Sequence, residues 1–272
     1  PVVGDDMTRL FPPTGIPTQA PRFLDLISVT GTSKDVVVYG VQVDENGNVT
    51  GAPPGTAYGS TTITTERRSK EIVARGTLMD VFEDVLDDEP RMRSWLEPRL
   101  RRLVRLDAEL QALFGDGEGQ NYEGLLEWAG IGERGRLTNE PIAVAIHAAM
   151  TDIRIAYHEE PDAVGFRPET WHDLVTERSA DDGHYVNTGG PFGAMPTSVW
   201  GKQSYTSTVF RDGTNDDPLD CVVGYHPEAE LVVRRGIELR SFEENKDNPE
   251  KRLITLRTDH RSTFIVNQPL AF

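Results

Sequence analysis

Cysteine and positive charge are both scarce in this chain, and each shortage excludes a class of protein. The 272 residues include one cysteine, Cys221, which rules out an internal disulfide framework and a metal site built from several cysteines. Lys and Arg number 28 against 44 Asp and Glu, so the formal net charge is −16. This balance argues against a protein that wraps nucleic acid, because contacts to phosphate need clustered basic side chains.

Long apolar runs and targeting signals are missing as well. No stretch of about 20 apolar residues occurs, so the sequence predicts no membrane-spanning helix. Residues 1–6 lack the basic and apolar segments of a signal peptide. Because the chain does not begin with Met, two expectations stay open, namely removal of a single Met before Pro1 or cleavage of a longer precursor.

Recognisable catalytic motifs are absent too. His158 and Glu159 are not followed by a second His at helical spacing, so the zinc-protease pattern fails. No Gly-x-Ser-x-Gly elbow occurs, and Cys221 lies in an apolar run, where an inert buried thiol is the ordinary case. The other histidines lack the spacing of metal ligands and are His147, His172, His184, His226 and His260. We therefore predict no catalytic, cofactor-binding or metal-binding residues and no enzymatic activity.

A glycine-rich segment at residues 115–119 invites a ligand-binding interpretation. The segment follows a predicted helix instead of a strand, and its glycine spacing does not match that of a phosphate-binding loop. The ligand positions of a calcium loop would be taken by Asp116, Glu118, Gln120 and Glu127. However, Asn121 occupies the position where the sharp turn of a calcium loop needs glycine. A structural turn that ends a helix is therefore the preferred interpretation.

A proline-rich segment followed by a polar hairpin opens the chain. Residues 1–22 contain five prolines and little periodicity, which predicts an extended arm. The β-branched residues at 36–43 and 60–68 predict two strands joined by a polar, glycine-rich tip. The second strand has too few apolar residues to belong to a core, so we expect the hairpin to lie against another surface.

A long helix follows an acidic segment. Residues 98–114 carry apolar side chains at helical spacing, with Leu103 among them, and Pro98 either starts the helix or kinks one that begins near Pro90. The acidic residues within 80–89 and the arginines within 91–105 suit a solvated helix face or contact between neighbouring copies.

Residues 115–272 contain shorter predicted helices and strands. A helix is predicted at 138–158, opening with the capping sequence Thr138–Pro141, and a short helix is predicted from Pro168. Strands are predicted at 163–166, 198–209, 219–225, 230–242 and 252–258. Because helices and strands are segregated, the fold class is α+β.

Taken in order, these segments resemble the major capsid proteins of tailed phages of the Hong Kong 97 type, in their mature form. The likeness covers nearly the whole chain, and although each motif is weak alone, their order is specific. The matching parts are the arm, the hairpin, the acidic segment, the helix ending in residues 113–125, the stretch 164–172, residues 182–185 with Gly190-Pro191, and the closing residues 257–272.

The resemblance implies an α+β Hong Kong 97-type phage capsid fold with four parts. These are an N-terminal arm at 1–30, an E-loop hairpin at 31–75, a P-domain with a long spine helix at 76–137 and 228–262, and an A-domain at 138–227 and 263–272.

The resemblance also implies a structural protein of the virion. Copies would self-assemble in the host cytoplasm into pentamers and hexamers of an icosahedral shell around packaged double-stranded DNA. Besides itself, the implied partners are portal, scaffolding and decoration or cement proteins, with no membrane and no sequence-specific DNA binding. The negative charge suits an inner wall to which DNA should not adhere.

One departure from the type member concerns its covalent Lys–Asn cross-links, which a nearby Glu promotes. The hairpin tip at 49–59 has no lysine, and the positions for the Asn and the Glu hold Arg252 and Asp259. We therefore expect a shell held non-covalently or by a cement protein. Two alternatives stay open: an encapsulin-type nanocompartment, whose members usually begin with a helix instead of an arm, and a soluble metal-dependent enzyme.

Overall fold

Ten strands form three sheets in the part of the chain that the computed structural model describes. The described residues are 22–47, 49–84, 90–138, 140–177, 196–211, 219–244 and 248–272. The predicted arm up to residue 21 and the motif at 182–191 lie outside them. Within them, none of the helices is both long and apolar enough to cross a bilayer. The segregated helices and strands confirm the predicted α+β class.

The first four-stranded sheet has the order β1-β9-β10-β4. Strand β1 runs parallel to β9, whereas β10 is antiparallel to both β9 and β4. The strands span β1 Ser28–Gly31, β4 Val73–Phe82, β9 Ala229–Phe242 and β10 Leu253–Val266. Strand β10 therefore runs without a break across residues 262 and 263, where the P-domain and A-domain were predicted to meet.

Sequence analysis missed strand β4, and its side chains explain why. Val73 and Val81 are buried, but Arg75, Gly76 and Asp80 between them interrupt the alternation of apolar and polar residues that marks a strand. The strand forms because ten of its residues pair with β10, from Val73 opposite Ser262 to Phe82 opposite Leu253.

The long helix α1 spans Pro90–Phe114, so Pro98 lies inside it and does not start it. Leu103 was expected to face the core, but its side chain is 44% exposed, and that expectation was wrong. The buried side chains recur every four residues from Leu96 to Ala112, and Leu103 lies at the edge of this stripe, about 100° around the helix from Val104. The members of the stripe are Leu96, Leu100, Val104, Ala108, Ala112 and Leu113.

Strands β2 (Val36–Asn46) and β3 (Thr62–Glu71) form a two-stranded sheet of their own. They pair antiparallel with an irregularity near Gln42, which confirms the predicted hairpin. Most side chains of β3 are exposed. At the root, the amide of Ile72 donates to the carbonyl oxygen of Asp35 at 2.9 Å, and the Ile72 side chain is buried. The hairpin is thus attached to the body at its base and exposed along most of its length.

The second four-stranded sheet has the order β6-β7-β5-β8. Its strands are β5 Ala163–Phe166, β6 Ser198–Val199, β7 Lys202–Thr206 and β8 Cys221–Gly224, and the remaining helices are α2 Ile142–Tyr157, α3 Pro168–Thr176 and α4 Asn248–Lys251. Helix α2 begins after Pro141 with no side-chain cap, so the cap predicted from the sequence Thr138–Pro141, of which Asn139 lies outside the described residues, was wrong. Helices α2 and α3 bury Met150 and Trp171 against Val164 and Phe166.

One apolar cluster joins the two four-stranded sheets. It contains Phe264 of β10, Tyr205 of β7 and Val222 of β8, together with Phe23 just before β1. The Phe264 ring lies 6.4 Å from both the Phe23 and the Trp128 rings, meeting the indole edge to face. Because aromatic side chains bury large areas, this cluster holds the two halves of the chain together.

We expect Phe264→Ala to lower the free energy of unfolding by about 3–5 kcal/mol, because it leaves a cavity in the cluster shared by the sheets. Phe82→Ala is the matched control, since Phe82 is 60% exposed whereas Phe264 is fully buried. Its effect should stay within about 0.5 kcal/mol. Urea denaturation of the unassembled chain measures both values, and equal losses would contradict the packing described here.

Candidate functional site

The glycine-rich segment after α1 forms a turn, as predicted. The Asp116 carboxylate accepts hydrogen bonds from the Glu118 amide (3.0 Å) and the Asn121 side chain (2.9 Å), which lower its pKa. Gly117 donates to the Tyr122 carbonyl oxygen at 2.8 Å and has a φ of +70°, which glycine adopts without strain. The carboxylate thus stabilises the turn itself. Among the described residues, no three His, Cys, Asp or Glu side chains converge as metal ligands would.

Two further glycines of this turn are required by close backbone approach. A Cβ on Gly115 would lie 2.2 Å from the Tyr122 carbonyl oxygen, and one on Gly124 would lie 2.4 Å from the Gly115 amide nitrogen. Both distances are far below van der Waals contact, and the backbone atoms cannot move aside independently. The chain can therefore turn back after the helix only with glycine at both positions. This requirement accounts for the glycine spacing of the motif at 113–125.

A buried hydrogen-bonded group fastens this turn to the sheet. The Tyr122 hydroxyl lies 2.9 Å from His260 Nε2 and 2.6 Å from Ser262 Oγ, both on β10. Burial raises the pKa of Tyr122 to about 12 and lowers the pKa of His260 below its usual value. His260 Nδ1 is buried without a hydrogen-bond partner, so a proton there would be unsatisfied.

Arg75 ties β4 to α1 and to the same turn. Its Nε and Nη2 donate to the two oxygens of Asp107 at 2.7 and 2.9 Å, and Nη1 donates to Asn121 Oδ1 at 2.8 Å. The hydrogen bond to Asp107 raises the pKa of Arg75. A paired fork of this kind fixes orientation as well as distance. The turn is therefore held by β4, α1 and β10 together.

The root of the hairpin, where β2 begins and β3 ends, contacts this turn. Lys70 of β3 forms an ion pair with Glu123, and its ammonium lies 5.3 Å from the centre of the Trp128 ring. On the other strand, Asp35 forms ion pairs with Arg234 and with Arg261, the latter at 2.8 Å. Each partly exposed pair adds at most about 1 kcal/mol, so the set directs the hairpin more than it stabilises the fold.

Beyond its root, the hairpin exposes apolar side chains in series. They are Val36, Val38, Val49, Tyr58 and Ile63, with Tyr58 81% exposed. Single exposed apolar residues are ordinary on a monomer, but several along one thin hairpin indicate a surface that another molecule covers. Such side chains offer contact area to a partner surface.

Sequence analysis also missed a buried carboxylate on α1 that contacts the first described residues of the chain. Glu109 of α1 accepts a hydrogen bond from Ser207 Oγ at 3.1 Å, and the amides of residues 22–24 approach it. Burial raises its pKa although these hydrogen bonds oppose the shift. The residue lies on the buried stripe of an amphipathic helix, where the sequence pattern predicts an apolar side chain. Glu109 thus contacts residues 22–24, which belong to the predicted arm at 1–30.

Of the histidines named in the sequence analysis, His184 lies outside the described residues, and the described ones have separate surroundings. His226 is fully buried, with Nδ1 2.7 Å from Asp162 Oδ1 and Nε2 3.2 Å from the Tyr205 hydroxyl. His147 is exposed and lies against Trp200. His158 ends α2 with a φ of +64°.

The other residues that the sequence analysis singled out, Cys221, Asp259 and Arg252, have separate surroundings. Burial raises the pKa of Cys221 to about 11, which suits an inert thiol. Asp259 forms an ion pair with Arg235, whereas Arg252 is exposed at the turn before β10.

Comparison with known proteins gives one family. The sequence profile of the Phage capsid family matches residues 18–272. A curated relative, the Major capsid protein of Enterobacteria phage HK97, is 24% identical over 214 residues, which are 77% of this chain and 52% of that protein. The chain thus spans about half the length of the curated relative that it matches.

Solved structures agree with this match. A structure from Gordonia phage Cozz has a TM-score of 0.75 at 14% identity and covers 98% of this chain and 91% of that one. One from Mycobacterium phage Adephagia has a TM-score of 0.72 at 14% identity, with coverages of 93% and 86%. A structure titled "Capsid of empty GTA particle computed with C5 symmetry" has a TM-score of 0.73 at 14% identity, with coverages of 94% and 89%. These likenesses confirm the predicted Hong Kong 97-type phage capsid fold.

The buried His260 should make the fold sensitive to acid. Its pKa is lowered in the folded state, so its contribution to stability is present above the unfolded value of about 6.5 and is lost as pH falls toward the folded value. We expect the free energy of unfolding to fall with a slope of at most about 1.4 kcal/mol per pH unit from this group.

His260→Gln should remove that part of the slope, because glutamine does not titrate. His172→Gln is the control, since His172 is exposed on α3. Urea denaturation at a series of pH values between about 5 and 8 measures the slope for each chain. An unchanged slope in the His260 variant would show that other groups carry the acid sensitivity.

Proposed function

The chain belongs to the phage capsid family, and from this premise we propose that it is the major capsid protein of a tailed phage. Copies self-assemble into pentamers and hexamers of an icosahedral shell that encloses packaged double-stranded DNA. The role is structural and not enzymatic. The observation that carries this proposal is the hairpin β2–β3, which is fastened at its root and exposes apolar side chains along its length.

A hairpin of this kind is marginally stable alone in water. Its root is nevertheless fixed by ion pairs to Glu123, Arg234 and Arg261, so the body sets the direction in which it leaves. A directed, partly apolar projection supports contact with a neighbouring copy, because that neighbour presents the same partner surface each time.

The four-part organisation is part of the proposal. The arm takes residues 1–30, the E-loop 31–75, the P-domain 76–137 with 228–262, and the A-domain 138–227 with 263–272. The hairpin sheet, the sheet packed against α1 and the sheet packed against α2 and α3 support three of these parts. The continuous strand β10 ties the P-domain to the A-domain.

Further partners follow from the same role. The net charge of −16 supports an inner wall that repels packaged DNA and makes no sequence-specific contact with it. Portal, scaffolding and decoration or cement proteins are the other partners. The protein is assembled in the host cytoplasm and resides in the virion.

Electron microscopy of the purified chain tests the assembly. We expect closed shells, and we expect a variant in which a two-residue Asn-Gly turn replaces residues 47–61, joining the paired Asn46 and Thr62, to fold but not to form them. None of the described residues of this tip is buried, so its removal should leave the unfolding midpoint unchanged. A wild-type chain that stays monomeric at high concentration would contradict the proposal.

The contents of particles produced during infection separate two kinds of shell. Nuclease-protected double-stranded DNA inside them agrees with a virion, whereas an enzyme cargo in place of DNA would favour an encapsulin-type compartment.

Denaturing electrophoresis of intact particles tests how the shell is held. The hairpin tip has no lysine, and Arg252 and Asp259 occupy the positions of the amide acceptor and the promoting carboxylate of the type member. We expect one band of monomer mass, because neither an amine nor an amide is in place for an isopeptide bond. A ladder of covalent oligomers would overturn this expectation.

A further inference from the structure

An exposed tryptophan stands at the tip of a tight turn. Trp200 and Gly201 join β6 to β7 with φ values of +52° and +77°. Two-residue hairpin turns with positive φ at both positions favour Asn-Gly, and a bulky residue there is uncommon. Such strained residues persist where the surroundings determine them, and they concentrate at functional sites.

The indole of Trp200 is positioned by helix α2. Its Nε1 donates to the Ala143 carbonyl oxygen at 2.8 Å, and its ring lies 4.8 Å from the His147 ring. The side chain is still 55% exposed. Because the indole N–H already has a partner, covering the ring would leave no polar atom unsatisfied.

A cavity of about 240 Å³ lies on another side of α2. Its floor and walls are mostly apolar and come from Ala149, Ile153, Ala156, Val223, Leu270 and Phe272. At its edge, Arg134 forms ion pairs with Glu140 and Asp152. The volume corresponds to about eight water molecules at roughly 30 Å³ each, which is room for one large aromatic side chain.

The tryptophan and the cavity lie on opposite flanks of the same helix. At about 100° per residue, Ala143 and His147 point roughly 140° away from the mean direction of Ala149, Ile153 and Ala156. Trp200 therefore cannot fill the cavity of its own chain. A projection on one flank and a recess on the other suit head-to-tail contact between identical copies, which closes into rings where the rotation permits.

We propose that the exposed face of Trp200 of one copy packs into the mouth of the cavity beside α2 of the next copy while its Nε1 stays bonded to Ala143, and that this contact, called the joint below, connects neighbours within the rings of the shell. The inference rests on the proposed function, which supplies the neighbouring copies. Buried tryptophans commonly dominate the energy of such interfaces. The guanidinium of Arg134 at the cavity edge gives the incoming indole a cation–π partner.

Two substitutions break the joint from its two sides. Trp200→Ala removes the projection, and Ala156→Trp fills the recess from a position that is exposed in the single chain, so each should leave folding intact. We expect each to weaken association between copies by about 30-fold or more, the effect typical of a central interface residue. Ile155→Ala is the control, because Ile155 is exposed on α2 and does not line the cavity.

Mixing the two variants gives the sharper test. The Trp200→Ala chain keeps an open cavity and the Ala156→Trp chain keeps Trp200, so a one-to-one mixture can form one intact joint per pair. Analytical ultracentrifugation should then show a heterodimer that neither variant forms alone. Absence of that heterodimer would overturn the proposal, as would wild-type association strength in Trp200→Ala.

The outcomes separate this joint from the proposed function. Shells that form equally well with and without Trp200 would overturn the joint and leave the capsid role standing. Small oligomers that need Trp200, formed by a wild-type chain that never closes into shells, would support the joint and contradict the capsid role.

Discussion

The turn that follows α1 is the point on which the rest of the structure depends. Gly115 and Gly124 allow the backbone to double back at distances that exclude any side chain. The doubled turn places Tyr122 against His260 of β10 and Glu123 against Lys70 of the hairpin. One short segment therefore sets the position of the long helix, of the sheet beneath it and of the hairpin that projects from it.

The chain thus combines a fixed turn at the hairpin root with a hairpin that needs another surface to cover it. Tyr122 of the turn is buried with its partners His260 and Ser262, so the base of the turn is fixed within the single chain and sets the direction of the hairpin root. The hairpin beyond the root has almost no core of its own, and its ion pairs are too weak to order it fully. Its stability must come from surfaces outside the chain, and in the proposed shell neighbouring copies would supply such surfaces at fixed geometry.

Much of the fold could be predicted from the sequence because local patterns carry it. The hairpin strands, α2 and most strands of the two four-stranded sheets follow from β-branched runs and helical periodicity. Strand β4 could not be predicted, since its pairing with β10 overrides a weak local pattern. The Tyr122–His260 contact joins residues 138 positions apart, and no local signal announces it. Glu109 contradicts the apolar pattern of its own helix, because the amides that it meets come from elsewhere in the chain.

The shell proposed above, if held without covalent links, would place a physical demand on its contacts. Exposed ion pairs add at most about 1 kcal/mol each and are screened by salt, so charge alone cannot hold many copies together. Apolar anchors that leave no unsatisfied polar atom meet this demand, and Trp200, with its N–H already bonded, is of that kind. Because such contacts are reversible, wrongly placed copies can dissociate before a closed shell traps them. Many modest contacts then act together once the shell is complete, since each copy is held at several places.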